Sequence, residues 1–144
     1  MKLNIVSKSG RMPEYATSGS AGFDLAAYLP DGPYLLEAGE RALIPTGYFV
    51  EIPEGYEAQI RARSGLAINY GIGLVNGVGT VDSDYRGEWQ VPLINLSDSD
   101  YLIQDGDRIA QVVISEVVQV SFNQVDEISD TERGAGGFGH TGKQ

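Results

Sequence analysis

The residues from Arg133 to Gln144 read RGAGGFGHTGKQ, five glycines around one phenylalanine with cations toward both ends. Glycine lacks a β-carbon, so such a segment reaches conformations closed to other residues and can bring its N–H groups close to an oxyanion. Arg133, His140 and Thr141 add side-chain donors suited to phosphate, and Phe138 offers a flat face to a ring. The chemistry this predicts is capture of an anionic, ring-bearing ligand by a segment that orders around it. Two better-known phosphate signatures match here by letter only. Gly134, Gly136 and Gly139 spell GxGxxG, but the strand before, the helix after and the acid further on are all missing. Gly137 to Lys143 spell GxxxxGK, but Gln144 stands where a Ser or Thr would hold magnesium. The arm is therefore expected to serve a site built elsewhere.

Four other segments carry residue types that plain strands and turns do not need. Ala21-Gly22-Phe23-Asp24-Leu25 sets an acid inside an apolar run, suited either to capping backbone N–H groups in a turn or to function. Arg61-Ala62-Arg63-Ser64-Gly65-Leu66 puts arginine, a hydroxyl and glycine N–H groups where a short helix begins, an arrangement that binds anions. Asn76 to Gly87, NGVGTVDSDYRG, reads as a hairpin with an amide at its entry and Asp82, Asp84 and Tyr85 at its turn. Gly106 to Gln111, GDRIAQ, reads as a turn feeding a strand.

These segments must be positioned by a β framework. Short apolar runs with alternating or β-branched character recur: Leu3 to Val6, Tyr34 to Leu36, Ala42 to Ile44, Tyr48 to Ile52, Tyr56 to Ile60, Val91 to Leu96, Ile109 to Ile114 and Val117 to Val125. Turn signals separate them, including Pro30-Asp31-Gly32-Pro33 and Pro53-Glu54-Gly55, and all six prolines are expected outside strand interiors or at strand ends. Many short strands with no long helical period predict an all-β sandwich or barrel, with one brief helix over Leu66 to Tyr70. Residues 1–125 form the folded domain in this reading, 126–132 an acidic tether, and 133–144 the Gly-rich arm. A tethered arm has the reach to close over a neighbouring subunit.

Composition narrows the function. The chain has 144 residues, 42% of them hydrophobic, which is enough for one domain with a real core. Ten Lys and Arg against twenty Asp and Glu give a net charge of −10, which repels a nucleic-acid backbone and makes an anionic small ligand depend on a divalent cation. Seven of the ten cations are arginine, whose planar fork matches phosphate. The absence of cysteine excludes disulfides and thiolate chemistry, and a single histidine excludes a His-rich metal site. No stretch approaches the roughly 20 apolar residues that span a bilayer, and the expected location is cytoplasmic.

AGFDLAA, RSGLA, NGVGTVDSDYRGE, GDRIAQVVI and RGAGGFGHTG resemble, all and in order, the five motifs of the trimeric dUTP pyrophosphatases, from Ala21 to Gly142. Two positions depart from the commonest pattern: Ala62, where proline is usual, and His140, where many members carry serine. The resemblance implies a jelly-roll β-sandwich, a homotrimer, and sites assembled from three chains, with motifs one, two and four from one subunit, motif three from a second and the arm from a third. It implies hydrolysis of dUTP to dUMP and pyrophosphate, with Mg²⁺ held mainly by substrate phosphates and water rather than by protein ligands, supplying dUMP for thymidylate synthesis and keeping uracil out of DNA. No nucleic acid or membrane partner is implied.

The roles carried over are specific. Asp82 is expected to hold and deprotonate the attacking water, with Gln111 helping to fix it. Asp84 would project to the opposite face if its segment is extended, which suits a turn role. Arg63, Ser64 and Gly65 are expected on the phosphates, joined from the arm by Arg133, Gly139, His140 and Thr141. Asn76 and the backbone of Gly79, Thr80 and Val81 are expected to read the uracil edge, Tyr85 to pack on the deoxyribose, Phe138 to cover the base, and Gln90 to touch substrate. Asp24 is expected just behind the phosphate groups, and Arg108 either there or in an ion pair with Asp107 or Asp24. Trp89 is expected in the core or at an interface between subunits. The sister dCTP deaminases resemble the chain in fold, but their catalytic glutamate would fall at Pro92. A non-catalytic β-sandwich that binds sugars or proteins is the other reading, and it leaves Asp82, Ser64 and the arm unexplained.

Overall fold

The computed structural model describes residues 1–138; Gly139, His140 and Thr141, all expected on phosphate, lie outside the described residues. Two four-stranded antiparallel sheets and a two-stranded one make a jelly-roll sandwich. The first sheet is ordered β1 (Asn4–Ser7), β4 (Arg41–Glu51), β8 (Trp89–Asn95), β6 (Ile72–Leu74). The second is ordered β2 (Phe23–Ala26), β10 (Arg108–Glu116), β5 (Tyr56–Arg61), β7 (Val78–Val81). The small sheet pairs β3 (Tyr34–Leu36) with β9 (Tyr101–Ile103). Alternation builds the core: along β8, Trp89, Val91 and Leu93 point inward and Gln90 outward, the period of two that a half-buried strand requires. Leu25, Ile44, Ile72, Ile109 and Val112 complete the interior. Trp89 is thus a core residue, only 2% exposed.

The single helix among the described residues, α1, covers Ser64–Tyr70, starting two residues before the sequence pattern suggests. It stops at Gly71, whose φ of +68° turns its N–H back onto the carbonyls of Leu66 and Ala67. A side chain at Gly71 would also press on the Ser97 backbone nitrogen at 3.0 Å.

Three sequence expectations need correcting. The segment Asn76 to Gly87 is not a hairpin. β7 pairs with β5 in one sheet, whereas β8 pairs with β4 and β6 in the other, so residues 82–88 cross between sheets. The crossing holds because each strand buries its alternate side chains from its own sheet into the common core. Asp84 lies in a turn, the role the sequence favours for it: the Tyr85 N–H donates to the Asp82 carbonyl at 3.2 Å. No strand covers Val117 to Val125. β10 ends at Glu116, opposite Tyr56, the first residue of β5, while β2 pairs with β10 only as far as Val112. The continuation therefore passes beyond the edges of both neighbours, and Val118 and Phe122 are left 86% and 95% exposed.

Two prolines lie inside strands. Pro45 sits within β4, where a bulge between Pro45 and Tyr48 absorbs the irregularity. Pro92 lies within β8, with its carbonyl accepting the Val75 N–H at 2.9 Å just past the end of β6, so the donor it lacks faces a place where the neighbouring strand is finishing. No helix among the described residues is long and apolar enough to cross a membrane.

The N-terminal segment is tied down by an ion pair. Arg11 grips Asp105 with both terminal nitrogens, at 2.8 and 3.0 Å, and also donates to the Ala27 carbonyl, while Asp105 accepts the Leu29 N–H at 2.8 Å. Hydrogen bonds from Arg11, then from the Leu29 backbone, lower the Asp105 carboxyl to about 2. Because the folded value lies below the unfolded one of about 3.9, the contribution is complete above that unfolded value and is lost as pH falls toward the folded one. Asp105→Asn should lower the melting temperature at pH 7, and the gap to the native chain should narrow between about pH 4 and pH 2. Thermal melts across that range check it, and a gap independent of pH would remove the charge from the explanation.

Candidate functional site

Most of the expected site residues gather in two separate cavities. The first, about 360 Å³, opens between β7 and β8. Asn76, Gly79, Thr80, Val81, Asp82, Tyr85 and Gln90 all line it, so the residues expected to face the base and sugar stand together with the expected base catalyst. β7 is the outermost strand of its sheet, so alternate backbone N–H and C=O groups along it have no partner strand on that side. Those free groups are the raw material for reading a planar ligand's hydrogen-bonding edge. Gly79 is buried against Ile60, and a β-carbon there would come within 3.0 Å of the Asn76 amide nitrogen. Tyr85 is 45% exposed, which rules out an ordinary core tyrosine. Asp84 does not line this cavity.

The second cavity, about 340 Å³, brings together Gly22 and Asp24 from β2 and its approach, Arg63, Ser64 and Gly65 at the start of α1, and Arg108 and Gln111 from β10. Asp24 lies between two guanidinium groups. Its Oδ1 is 3.1 Å from Arg63 Nε and its Oδ2 3.1 Å from Arg108 Nη1. Arg63 also donates to the Arg108 carbonyl at 2.9 Å. Arg108 thus pairs with Asp24, not with Asp107, whose carboxylate instead accepts the Gln104 N–H at the turn before β10. Asp24 lies on a strand and caps no turn. Gln111 donates its amide to the Ala62 carbonyl at 3.0 Å, leaving its side-chain oxygen free of that bond. A proline at position 62 would present the same carbonyl, so the departure from the commonest family pattern leaves this contact intact. A β-carbon on Gly22 would sit 2.8 Å from the Val112 carbonyl oxygen, so glycine lets β2 approach β10 here.

Sheet register keeps the cavities apart. Gln111 is opposite Arg61 on one edge of β5, and Val81, next to Asp82, is opposite Ala58 on the other. Three residues of strand and two strand spacings separate them, roughly 14 Å. Within one chain, then, Asp82 and Gln111 do not meet. Neither cavity is lined by Arg133 or Phe138. Arg133 instead donates to the Gly136 carbonyl of its own arm at 2.8 Å, and Phe138 is fully exposed.

No cluster of three or more His, Asp or Glu side chains suited to a metal occurs among the described residues. The one carboxylate in the second cavity, Asp24, is already engaged by two arginines. The described residues of one chain therefore offer no ready-made metal cage, and a hard cation here would draw oxygen ligands from elsewhere.

Sequence reasoning did not single out Glu88. It lines the first cavity and accepts a hydrogen bond from the Gly47 N–H at 2.9 Å through Oε1 and from Lys8 at 3.1 Å through Oε2. Its partners are 41 and 80 residues away, so no local pattern marks it.

The dUTPase family model matches residues 8–142. A deoxyuridine 5′-triphosphate nucleotidohydrolase of Finegoldia magna is 51% identical over 143 residues, covering 99% of both chains. One from Rhizobium rhizogenes is 58% identical over 132 residues, 91% of this chain and 85% of its own. Among solved structures, a mutant dUTPase of Staphylococcus bacteriophage 80alpha with dUpNHpp superposes with a TM-score of 0.84 at 29% identity over 98% of both chains. A mutant dUTPase from the S. aureus phage phi11, solved to detail the coordination of a structural Mg(II) ion, superposes at 0.80 with 25% identity, covering 90% of this chain and 100% of that one. Agreement this extensive in sequence, carried on the same jelly roll, places the chain in the dUTPase family of nucleotide hydrolases.

Proposed function

We propose that the chain hydrolyses dUTP at the α-phosphorus through a site shared between subunits of a homotrimer, with Asp82 as the base. One observation carries this reading: the expected base-reading groups and Asp82 line one cavity, while the expected phosphate-binding groups and Gln111 line another, roughly 14 Å away along the sheet, too far for Asp82 and Gln111 of one chain to hold the same water. A second copy that lays its phosphate cavity beside the first copy's Asp82 completes the constellation. The arm of a third copy closes it.

In this mechanism Asp82 takes a proton from water as the water oxygen bonds to the α-phosphorus. The bond from that phosphorus to the oxygen bridging to the β-phosphorus breaks, leaving dUMP and pyrophosphate. Arg63 and Arg108, with Ser64 and Gly65 at the start of α1, orient the phosphates and offset their charge. Asp24 holds the two guanidinium groups side by side, and Gln111 helps fix the water. Asn76 and the free backbone edge of Gly79, Thr80 and Val81 read uracil; a cytosine would present a donor where these groups need an acceptor, leaving buried polar groups unpaired. Tyr85 packs on the deoxyribose and denies room to a 2′-hydroxyl, and Gln90 lines the same cavity. Arg133, Gly139, His140 and Thr141 reach the outer phosphates, and Phe138 covers the base. Mg²⁺ bound together with the triphosphate would supply the charge neutralisation that a chain of net charge −10 lacks. The dUMP formed feeds thymidylate synthesis, and the removal of dUTP, in this reading in the cytoplasm, keeps uracil out of DNA. A deaminase reading is disfavoured by Pro92, which lines the base cavity where that chemistry needs a glutamate.

Asp82→Asn should retain nucleotide binding while turnover falls roughly 10²–10⁴-fold, because the amide keeps the shape and loses the base. Titration with a non-hydrolysable dUTP analogue beside single-turnover kinetics separates the two, and parallel loss of binding would make Asp82 a ground-state group. Excess chelator should depress turnover strongly, and full activity under chelation would remove Mg²⁺ from the scheme.

Truncation before Arg133 should leave thermal stability unchanged, since no residue from Arg133 to Phe138 is buried, while turnover falls roughly 10²–10³-fold as phosphate donors and water exclusion are lost. Mixing that truncated chain with full-length Asp82→Asn should restore activity that neither parent has, because some sites then draw an intact arm and an intact Asp82 from different chains. Subunit exchange verified by mass without recovered turnover would refute the shared site.

A further inference from the structure

The crossing from β7 to β8 carries both Asp82 and Tyr85, and it is fastened at its far end in a way that the reaction scheme above does not use. In β4, the bulge between Pro45 and Tyr48 leaves Thr46 and Gly47 as extra residues facing β8. Both are consumed by the crossing's exit. The buried Thr46 hydroxyl donates to the Trp89 carbonyl at 2.6 Å, and the Gly47 N–H donates to Glu88 Oε1 at 2.9 Å. Glu88 Oε2 takes a further hydrogen bond from Lys8 at 3.1 Å, and Lys8 is itself held over the Phe49 ring. The Glu88 side chain is only 18% exposed, so these bonds fix it more firmly than a surface pair would.

Tyr85 rests on this anchored residue. Its hydroxyl donates to the Glu88 main-chain carbonyl at 3.2 Å. The ring passes over Gly87 so closely that a β-carbon there would run into the hydroxyl oxygen and Cζ. At the other end of the turn Arg86 donates to the Ser83 and Tyr85 carbonyls at 2.7 and 3.0 Å, so the loop is closed on itself before it reaches Glu88. The ring of Tyr85 therefore has a floor, Gly87, and a fixed peg, the Glu88 carbonyl, whose place is set by the β4 bulge.

We propose that Glu88 is a positioning residue for sugar discrimination: held by the Gly47 N–H, it fixes the carbonyl that pins Tyr85 against the deoxyribose. The inference rests on the reading of Tyr85 as the group that refuses a 2′-hydroxyl. A tyrosine free to swing would leave room for that hydroxyl, and an exposed ring on a glycine-bearing loop has no other restraint among the contacts of the turn. The neutral contact to Gly47 matters more than the charge on Lys8, which is half exposed and screened.

The measurement is the ratio of kcat/KM for dUTP over UTP, with thermal melts to confirm folding. Glu88→Ala should lower this ratio roughly tenfold, mainly by making UTP a better substrate. Glu88→Gln retains an oxygen for the Gly47 N–H and should hold the ratio near the native value. Tyr85→Phe removes an exposed hydroxyl without disturbing the core, and should lower the ratio in the same direction even if Glu88→Ala does not fold. Combining the two changes should add little beyond either alone, because both break one linkage. An unchanged ratio in folded Glu88→Ala or in Tyr85→Phe, alongside a ratio that collapses in Tyr85→Ala, overturns the positioning role and leaves the sugar-gate reading standing. An unchanged ratio in Tyr85→Ala overturns both.

Discussion

Strand β5 is hydrogen-bonded along both edges, to β10 on one side and β7 on the other, and that double pairing sets how far Gln111 and the start of α1 stand from Asp82. Arg63 and Ser64 follow directly from its C-terminal end, Gln111 sits across from Arg61, and Val81 carries Asp82 past the level of Ala58. Because antiparallel register is set by the whole buried face, slipping it by one residue would turn Ala58 and Ile60 out of the core. The same pairing that stabilises the sandwich thus holds the two cavities apart. On the shared-site reading, parts held apart in this way within one chain are completed by association with another copy.

Charge explains why the phosphate cavity is built around Asp24. Two guanidinium groups close together in a small cavity repel one another, and a carboxylate between them converts that repulsion into two ion pairs while leaving the cluster with a net positive charge. The arginines are then held near where an anion would arrive, so little side-chain entropy remains to be lost on binding. In a chain that is otherwise strongly acidic, this local reversal of sign, rather than overall charge, suits the proposed capture of a nucleotide's phosphates.

Much of this was legible in the sequence because the functional residues are chemically conspicuous. A serine and glycine after arginine, an amide followed by glycines, and Asp82 three residues before Tyr85 are poor choices for packing, and each group did fall on one cavity wall. What could not be read was partnership. The alternation through Val117 to Val125 is a sound strand signal, yet a strand needs an edge, and both neighbours of β10 have ended there. NGVGTVDSDYRG has the composition of a hairpin, but nothing local says that its two arms belong to different sheets. Pro45 and Pro92 looked like terminators because the bulge in β4 and the end of β6, which make room for them, are contributed by distant chain. Glu88 was missed for the same reason: its two partners are Gly47 and Lys8, and only the fold brings them near.

Recognition and hydrolysis therefore make different demands on the molecule. The groups proposed to read base and sugar lie on β7 and on a crossing pinned to β4, all within one chain, so their geometry is as rigid as the sandwich itself. The groups proposed to break the bond are divided among that crossing, a phosphate cavity at the other end of the same sheet, and an arm whose described residues touch neither cavity. On the shared-site reading a nucleotide can be discriminated by a surface that one subunit owns, but it can be cleaved only where three surfaces converge. On that reading, a change that loosens subunit contacts without disturbing the sandwich removes turnover while the selectivity of the base cavity survives.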